Sequence, residues 1–228
     1  MIDAILNLLF PQSCVLCGAP VLERRWSVAC PECWSQLEPL PRPFCLQCGM
    51  HAPAIETLCG PCRRGDHAFD LARSLFLFND PMRGIIHHFK YSSRVSLAKP
   101  LGPLLRECIA AEGFEAEVVL PVPLHRARAR ERGFNQAELL ARQLGLEVNT
   151  RLLKRRKNTP SQTGLSRSQR TLNLSAAFVV RGKPPDTVLV VDDVYTTGST
   201  LHEIAKTLKR AGVQRVEVLT VARVLQQV

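Results

Sequence analysis

The chain has 228 residues, 46% of them hydrophobic, an ordinary proportion for a globular protein and enough for one α/β domain with a small appendage. No apolar run approaches transmembrane length, so no membrane insertion and a cytoplasmic location are expected. The formal net charge is +10, and twelve Lys or Arg against three acids between Pro121 and Leu172 supply +9 of it. So local a basic field suits a polyanion, either a pyrophosphate or a nucleic-acid backbone, with a plain solvated face as the alternative.

MIDAILNLLF reads as a short amphipathic helix stopped by Pro11, without the basic start or cleavage site of an export signal. Eight of nine cysteines follow before residue 63, in four Cys-x-x-Cys pairs: Cys14/Cys17, Cys30/Cys33, Cys45/Cys48 and Cys59/Cys62. Pairs with a following glycine (CVLCG, CLQCG) alternate with pairs lacking one (CPEC, CGPC), which is an internal repeat of a two-knuckle unit. Zinc takes four soft ligands in a tetrahedron, and each such turn supplies two thiolates. Two structural zinc sites are therefore expected. The repeat favours sequential pairing (14, 17, 30, 33 and 45, 48, 59, 62), and a cross-braced pairing stays open. A disulfide framework fits a cytosolic chain poorly, and redox or iron–sulfur use is a lesser alternative. Cys108, in the apolar stretch LGPLLRECIAA, reads as core packing.

A domain boundary is expected at RRGDHA, giving 1–66 and 67–228. ARSLFLFND reads as a strand turning at Asp80–Pro81, and MRGIIHHFKYSS as a helix. VSLAKPLGPLLRECIAAEG is helical but interrupted by Pro100 and Pro103. AEVVLPVPL is a buried strand entering a proline-containing loop, and RGFNQAELLARQLG a helix between Gly133 and Gly145. Leu152–Asn173, polar and basic, reads as a mobile loop. AAFVV, TVLVV and RVEVLTVARV are strands, with a helix from about Ser199 between the last two. Such alternation predicts a parallel doubly wound sheet, whose ligands bind at the carboxyl ends of the strands.

VLVVDDVYTTGST (188–200) carries the most chemistry. Loop N–H groups and a helix N-terminus face an anion there, and the hydroxyls of Thr196, Thr197, Ser199 and Thr200 add donors. Asp192 and Asp193 suit sugar hydroxyls or a metal beside the same ligand, which together imply a ribose 5-phosphate. A simple capped strand-to-helix turn would need only one polar residue.

This segment resembles the 5-phosphoribosyl-1-pyrophosphate (PRPP) loop of type I phosphoribosyltransferases. With LLFPQSCVLCG, HFKY, PVPLHRARARERGFNQ and QTGLSRSQRTLN, the whole chain resembles the ComF/GntX family of competence and DNA-utilisation proteins. The resemblance implies a phosphoribosyltransferase-like α/β domain behind the zinc module. It implies that Asp192 and Asp193 hold the ribose and that Thr196, Thr197, Gly198, Ser199 and Thr200 wrap the 5-phosphate. Leu124, His125 and Arg126 are then pyrophosphate candidates, with Mg²⁺ accompanying PRPP, and Arg167 and Arg170 lie in a loop that closes over the ligand. Arg132, Asn135 and Gln136 are either site residues or helix caps. Lys90 is a weaker phosphate candidate, and adjacent His87 and His88 a weak metal candidate. The implied activity is phosphoribosyl transfer to an unidentified acceptor. The alternative is a non-catalytic protein that binds single-stranded DNA or docks a partner on the same fold. A competence helicase and a recombination mediator are the implied partners.

Overall fold

Tight Cys-x-x-Cys turns organise the first part of the protein. The structure, a computed structural model, describes residues 12–21, 29–52, 58–91, 95–156 and 177–225. Strands β1 (Gln12–Ser13) and β2 (Pro20–Val21) pair antiparallel around the Cys14/Cys17 turn. The pairs without a following glycine form one-turn helices, α1 (Pro31–Trp34) and α2 (Gly60–Arg63). Each has a proline in its first turn, where a fixed φ costs nothing and the missing N–H is not needed. Gly49, after the third pair, has φ 67°, and a Cβ there would lie 2.6 Å from the Ala72 carbonyl oxygen. Only glycine permits that turn to sit against the next strand.

That strand is β3 (Leu71–Leu77). Helix α3 (Asp80–Tyr91), a 3₁₀ turn (Val95–Leu97) and α4 (Ala98–Ala111) lead to β4 (Val118–Pro121). Helices α5 (Arg126–Arg132) and α6 (Gln136–Ala141) precede β5 (Glu147–Val148). An antiparallel pair follows, β6 (Leu153–Arg155) with β7 (Phe178–Val180). Then come β8 (Thr187–Tyr195), α7 (Ser199–Arg210) and β9 (Arg215–Arg223).

The five-stranded sheet has the order β3-β9-β8-β4-β5, with every pairing parallel. Its two faces bury separate cores. Val188 and Val190 face one with α7; Leu189 and Val191 face the other with α3, α4 and α6. The chain leaves β4 toward β5 and leaves β8 toward β9, so the sheet switches direction between these neighbours. A crevice opens at such a point beyond the strand ends. The edge of β3 is covered by the stretch between the two cysteine units, where Leu40 donates to Leu75 O at 3.0 Å and Glu38 O accepts from Leu77 at 2.8 Å. An exposed edge is thereby avoided.

Several local expectations are corrected. Asp80–Pro81 opens a helix instead of making a turn. Helix α4 runs unbroken through Pro103. Pro103 and Lys99 are both exposed, so the carbonyl that loses its partner meets water while Leu101 and Leu105 hold the buried face. RARARER forms α5 where a loop was expected; His125 caps it and Gly133 closes it at φ 78°. The helix expected across RGFNQAELLARQLG is confined to Gln136–Ala141. The basic stretch after Leu152 begins as a strand, because Leu152 and Leu153 bury against the core. Strand β8 continues past both aspartates, since Asp192, Val194 and Tyr195 pair with Thr220, Ala222 and Arg223. The expected helix over 1–10 and the remainder of the mobile loop (157–173) lie outside the described residues.

Candidate functional site

The site begins with the unequal lengths of β4 and β8. Val122 N donates to Val191 O at 2.9 Å, and this is the last backbone bond between them. Beyond it β8 pairs only with β9, so Asp192 and Asp193 flank the crevice. Asp193 is 4% exposed, and its Oδ2 lies 2.5 Å from Lys90 Nζ. The HFKY segment of α3 thus buries Phe89 and aims Lys90 at a carboxylate. Lys90 is a partner of Asp193 here, whereas the sequence suggested a phosphate. The Asp192 carboxylate accepts from Asp193 N at 2.9 Å. Burial, and next the charge of Asp193, push its carboxyl well above the ordinary carboxylate range, with Lys90 opposing.

Past Tyr195 the chain forms the hydroxyl-rich loop. Gly198 has φ 74° and stands at the N-cap of α7. A Cβ there would collide with the ring and hydroxyl of Tyr195, so glycine is required by both conformation and space. Thr197 Oγ1 and Ser199 Oγ lie 2.9 Å apart, and His202 N donates to Gly198 O at 2.8 Å. Thr197, Gly198 and Ser199 line a cavity of about 380 Å³ with Gly65, Asp66, His67 and His202. The segment just after the second cysteine unit therefore borders the loop.

On the β4 side lies a cavity of about 550 Å³. Leu124, His125 and Arg126 line it, together with Lys154, Arg155, Arg156 and Arg181 from the β6–β7 region. Five of its residues are Lys or Arg and one, Glu138, is acidic, so it suits an anion. His125 Nδ1 accepts from Ala127 N at 3.2 Å. In the neutral ring this leaves the proton on Nε2 as a donor. Burial, and then the charge of Arg128, pull the Arg155 guanidinium below its usual range, and Asp192 opposes the shift. Arg155 thus connects the cation-lined cavity electrostatically to the carboxylates. Its contribution and that of Arg181 were missed in the sequence, where KRR registers only as part of a basic run.

Other expected residues make mainly local contacts. Asn135 caps α6 through Oδ1 to Ala137 N at 3.1 Å, and its Nδ2 donates to Val122 O at 3.0 Å. Arg132 donates to Gln136 Oε1 at 2.7 Å and lies over the Tyr91 ring. All three make capping or packing contacts, and Asn135 also lines the cation-rich cavity. His87 and His88 stand ring to ring at 6.0 Å, and neither belongs to a metal-ligand group among the described residues. Cys108 is partly buried, and burial, then Glu112, push its thiol up to about 11. Arg167 and Arg170 lie outside the described residues.

The paired cysteines gather as Cys14, Cys17, Cys30, Cys33 and as Cys45, Cys48, Cys59, Cys62, the four ligand atoms of each group within 4.8 Å of one another. That is the sequential pairing. A Zn–S bond of about 2.3 Å gives a tetrahedral edge of roughly 3.8 Å. Cys17–Cys30 at 3.7 Å and Cys48–Cys59 at 3.5 Å fit this edge. Leu16 N and Cys59 N donate to Cys14 and Cys45 sulfur at 3.4 and 3.3 Å, which orients the thiolates. Four sulfurs close each site and leave no open position for chemistry.

Comparison with known proteins agrees with the fold and with the two four-cysteine groups. Residues 5–63 match the double zinc ribbon domain, and residues 130–228 match the phosphoribosyl transferase domain. The class is therefore a phosphoribosyltransferase-fold protein carrying an N-terminal double zinc ribbon. Competence protein F of Haemophilus influenzae is 33% identical, covering 85% of this chain and 90% of that protein. DNA utilization protein YhgH of Escherichia coli K12 is 32% identical over 94% of this chain and 98% of its own. Competence protein ComFC of Streptococcus pneumoniae is 27% identical over 92% and 99%. The chain belongs to this competence protein F and DNA utilization protein family. No helix among the described residues is long and apolar enough to cross a membrane.

Proposed function

We propose that the domain from residue 67 onward binds PRPP with Mg²⁺, and that the protein serves DNA uptake and utilisation in the cytoplasm. One observation carries the reading. The paired carboxylates stand at the switch point of the sheet, beside a hydroxyl-rich helix N-terminus and near a cavity lined by five cations. Thr196–Thr200 take the 5-phosphate, and Asp192 and Asp193 take the ribose hydroxyls. Leu124, His125 and Arg126, joined by Arg155 and Arg181, take the pyrophosphate, and Arg167 and Arg170 close over it. Mg²⁺ arriving with the ligand neutralises pyrophosphate charge. In phosphoribosyl transfer the cations would stabilise the leaving pyrophosphate, and the carboxylates the developing ribosyl cation. The names of the relatives support the role in DNA metabolism. The zinc sites are structural, and the 1–66 module is a docking platform for partners.

Thermal unfolding with PRPP and Mg²⁺ tests this. Ligand at about 100 times its dissociation constant stabilises by roughly 2.7 kcal/mol. At roughly 2–4 °C per kcal/mol, the wild-type Tm should rise by several degrees. The ligand-induced rise should vanish in Asp192→Asn/Asp193→Asn. A wild type that PRPP does not shift sinks the proposal. The alternative, single-stranded DNA bound without turnover, would draw on the same five cations. That binding would weaken by orders of magnitude between about 50 and 200 mM salt.

A further inference from the structure

Arg223 is the last residue of β9 and only 5% exposed. Among the described residues, no carboxylate lies within ion-pair distance of it. A guanidinium buried this way needs compensating charge or hydrogen bonds. Its neighbours are unusual. It donates to the Cys48 carbonyl oxygen, and its Nη2 lies 4.0 Å from Cys48 sulfur. Its other side covers the Tyr195 ring at 3.9 Å from the centroid. Tyr195 pairs with Arg223 across the strands, and its ring occupies the space that a Gly198 side chain would need. The gap among Cys48, Cys59, His67, Tyr195, Thr197 and Arg223 is about 20 Å³, room for about one water. Cys48, Arg223, Tyr195 and Gly198 therefore form one packed chain from a metal ligand to the loop.

We propose that Arg223 is a positioning residue that couples the second four-cysteine site to the hydroxyl-rich loop. Zinc with four thiolates carries a net negative charge, which supplies the missing counter-charge for Arg223. The held guanidinium in turn fixes Tyr195, and Tyr195 fixes the turn at Gly198. Zinc loss from this site loosens the loop, and an occupied loop retains the zinc. Among the described residues, the first cysteine site has no such connection. The link to ligand binding rests on the phosphoribosyl reading, but the link between zinc and the loop does not.

The test uses the full-length zinc-loaded protein, with Arg223→Met and Arg223→Lys beside the wild type. Zinc release to a chromophoric chelator and amide exchange over residues 195–200 are followed together. In Arg223→Met, one of the two zinc ions should leave about 10-fold faster or more, as for loss of an outer-shell partner, and the other at the wild-type rate. Exchange over 195–200 should rise. Arg223→Lys keeps the charge without the planar fork, so it should retain zinc better than Met yet still loosen the loop. Folded Arg223→Met with unchanged zinc release, or with an unchanged loop, overturns the proposal. Should that variant not fold, Arg223→Lys and a reciprocal wild-type experiment decide. Coupling between sites is mutual, so saturating PRPP and Mg²⁺ must slow the loss of one zinc. Equal loss with and without bound PRPP overturns the coupling. A wild type that does not bind PRPP removes the phosphoribosyl reading, and the exchange and release measurements still judge Arg223.

Discussion

Asp192 is held in a place that disfavours its own charge. Burial and the adjacent Asp193 charge raise its carboxyl above the usual range. The folded state therefore holds that proton to higher pH than the unfolded chain does. Ionised Asp192 costs stability above the raised value; the cost fades as pH falls through it and is absent below about pH 4. Asp192→Asn keeps an acceptor for the Asp193 N–H and removes the charge. Its ligand-free Tm should exceed the wild type's at pH 7–8 and converge with it as the pH approaches about 4. An Asn variant that is less stable at neutral pH would contradict this account. The two aspartates were legible in the sequence because they adjoin the hydroxyl-rich loop in the chain. Arg155 and Arg181 were not, because each reaches the site from a different element, and Lys90 reads in the sequence as a phosphate candidate with no sign that Asp193 is its partner. Glu217 was equally hidden within RVEVLTVARV. It is fully buried, and its carboxylate accepts from Glu115 N, Ala116 N and Arg215 Nε, fixing the turn into β4.

At the scale of elements, the junction between β8 and α7 depends on a glycine held from two directions. Gly198→Ala puts a side chain into left-handed backbone and against Tyr195. The strain and the overlap together should cost about 2 kcal/mol or more. Tm should fall by several degrees at roughly 2–4 °C per kcal/mol, and PRPP should no longer restore it. An alanine variant with wild-type stability would mean that Tyr195 has room to move. Element types were mostly readable from hydrophobic runs, and boundaries were not. Strand β8 outlasts its apolar run because β9 continues beside it. Helix α4 survives Pro103 because its opposite face is buried. Leu153–Arg155 becomes a strand because Phe178–Val180 lies alongside. In each case a partner distant in sequence overrides a local preference.

At the scale of the molecule, the two cysteine sites are not equivalent. Cys45, Cys48, Cys59 and Cys62 belong to the same buried cluster as Phe69, Val188, Val190 and Ile204. Cys14, Cys30 and Cys33 form a small cluster of their own with Val21 and Ala29, to which Leu16 and Trp34 attach. Cys14→Ser/Cys17→Ser should remove one zinc and leave the main unfolding transition within a few degrees of the wild type. Cys45→Ser/Cys48→Ser should lower that transition by about 10 °C or more, or leave the chain insoluble, because metal binding there is folding energy for the main core. Calorimetry with zinc counting distinguishes the two. Equal effects would mean that the ribbon is one cooperative unit. The amino-acid sequence by itself determined the zinc chemistry, the carboxylate pair and the hydroxyl-rich loop, since each is complete within a few consecutive or repeated residues. It also determined the parallel α/β class through alternating runs. Only the tertiary structure decided which cations meet the carboxylates and which cysteine site supports the loop. Those contacts come from parallel pairing and buried packing between segments far apart in the chain, where no short spacing records the partner.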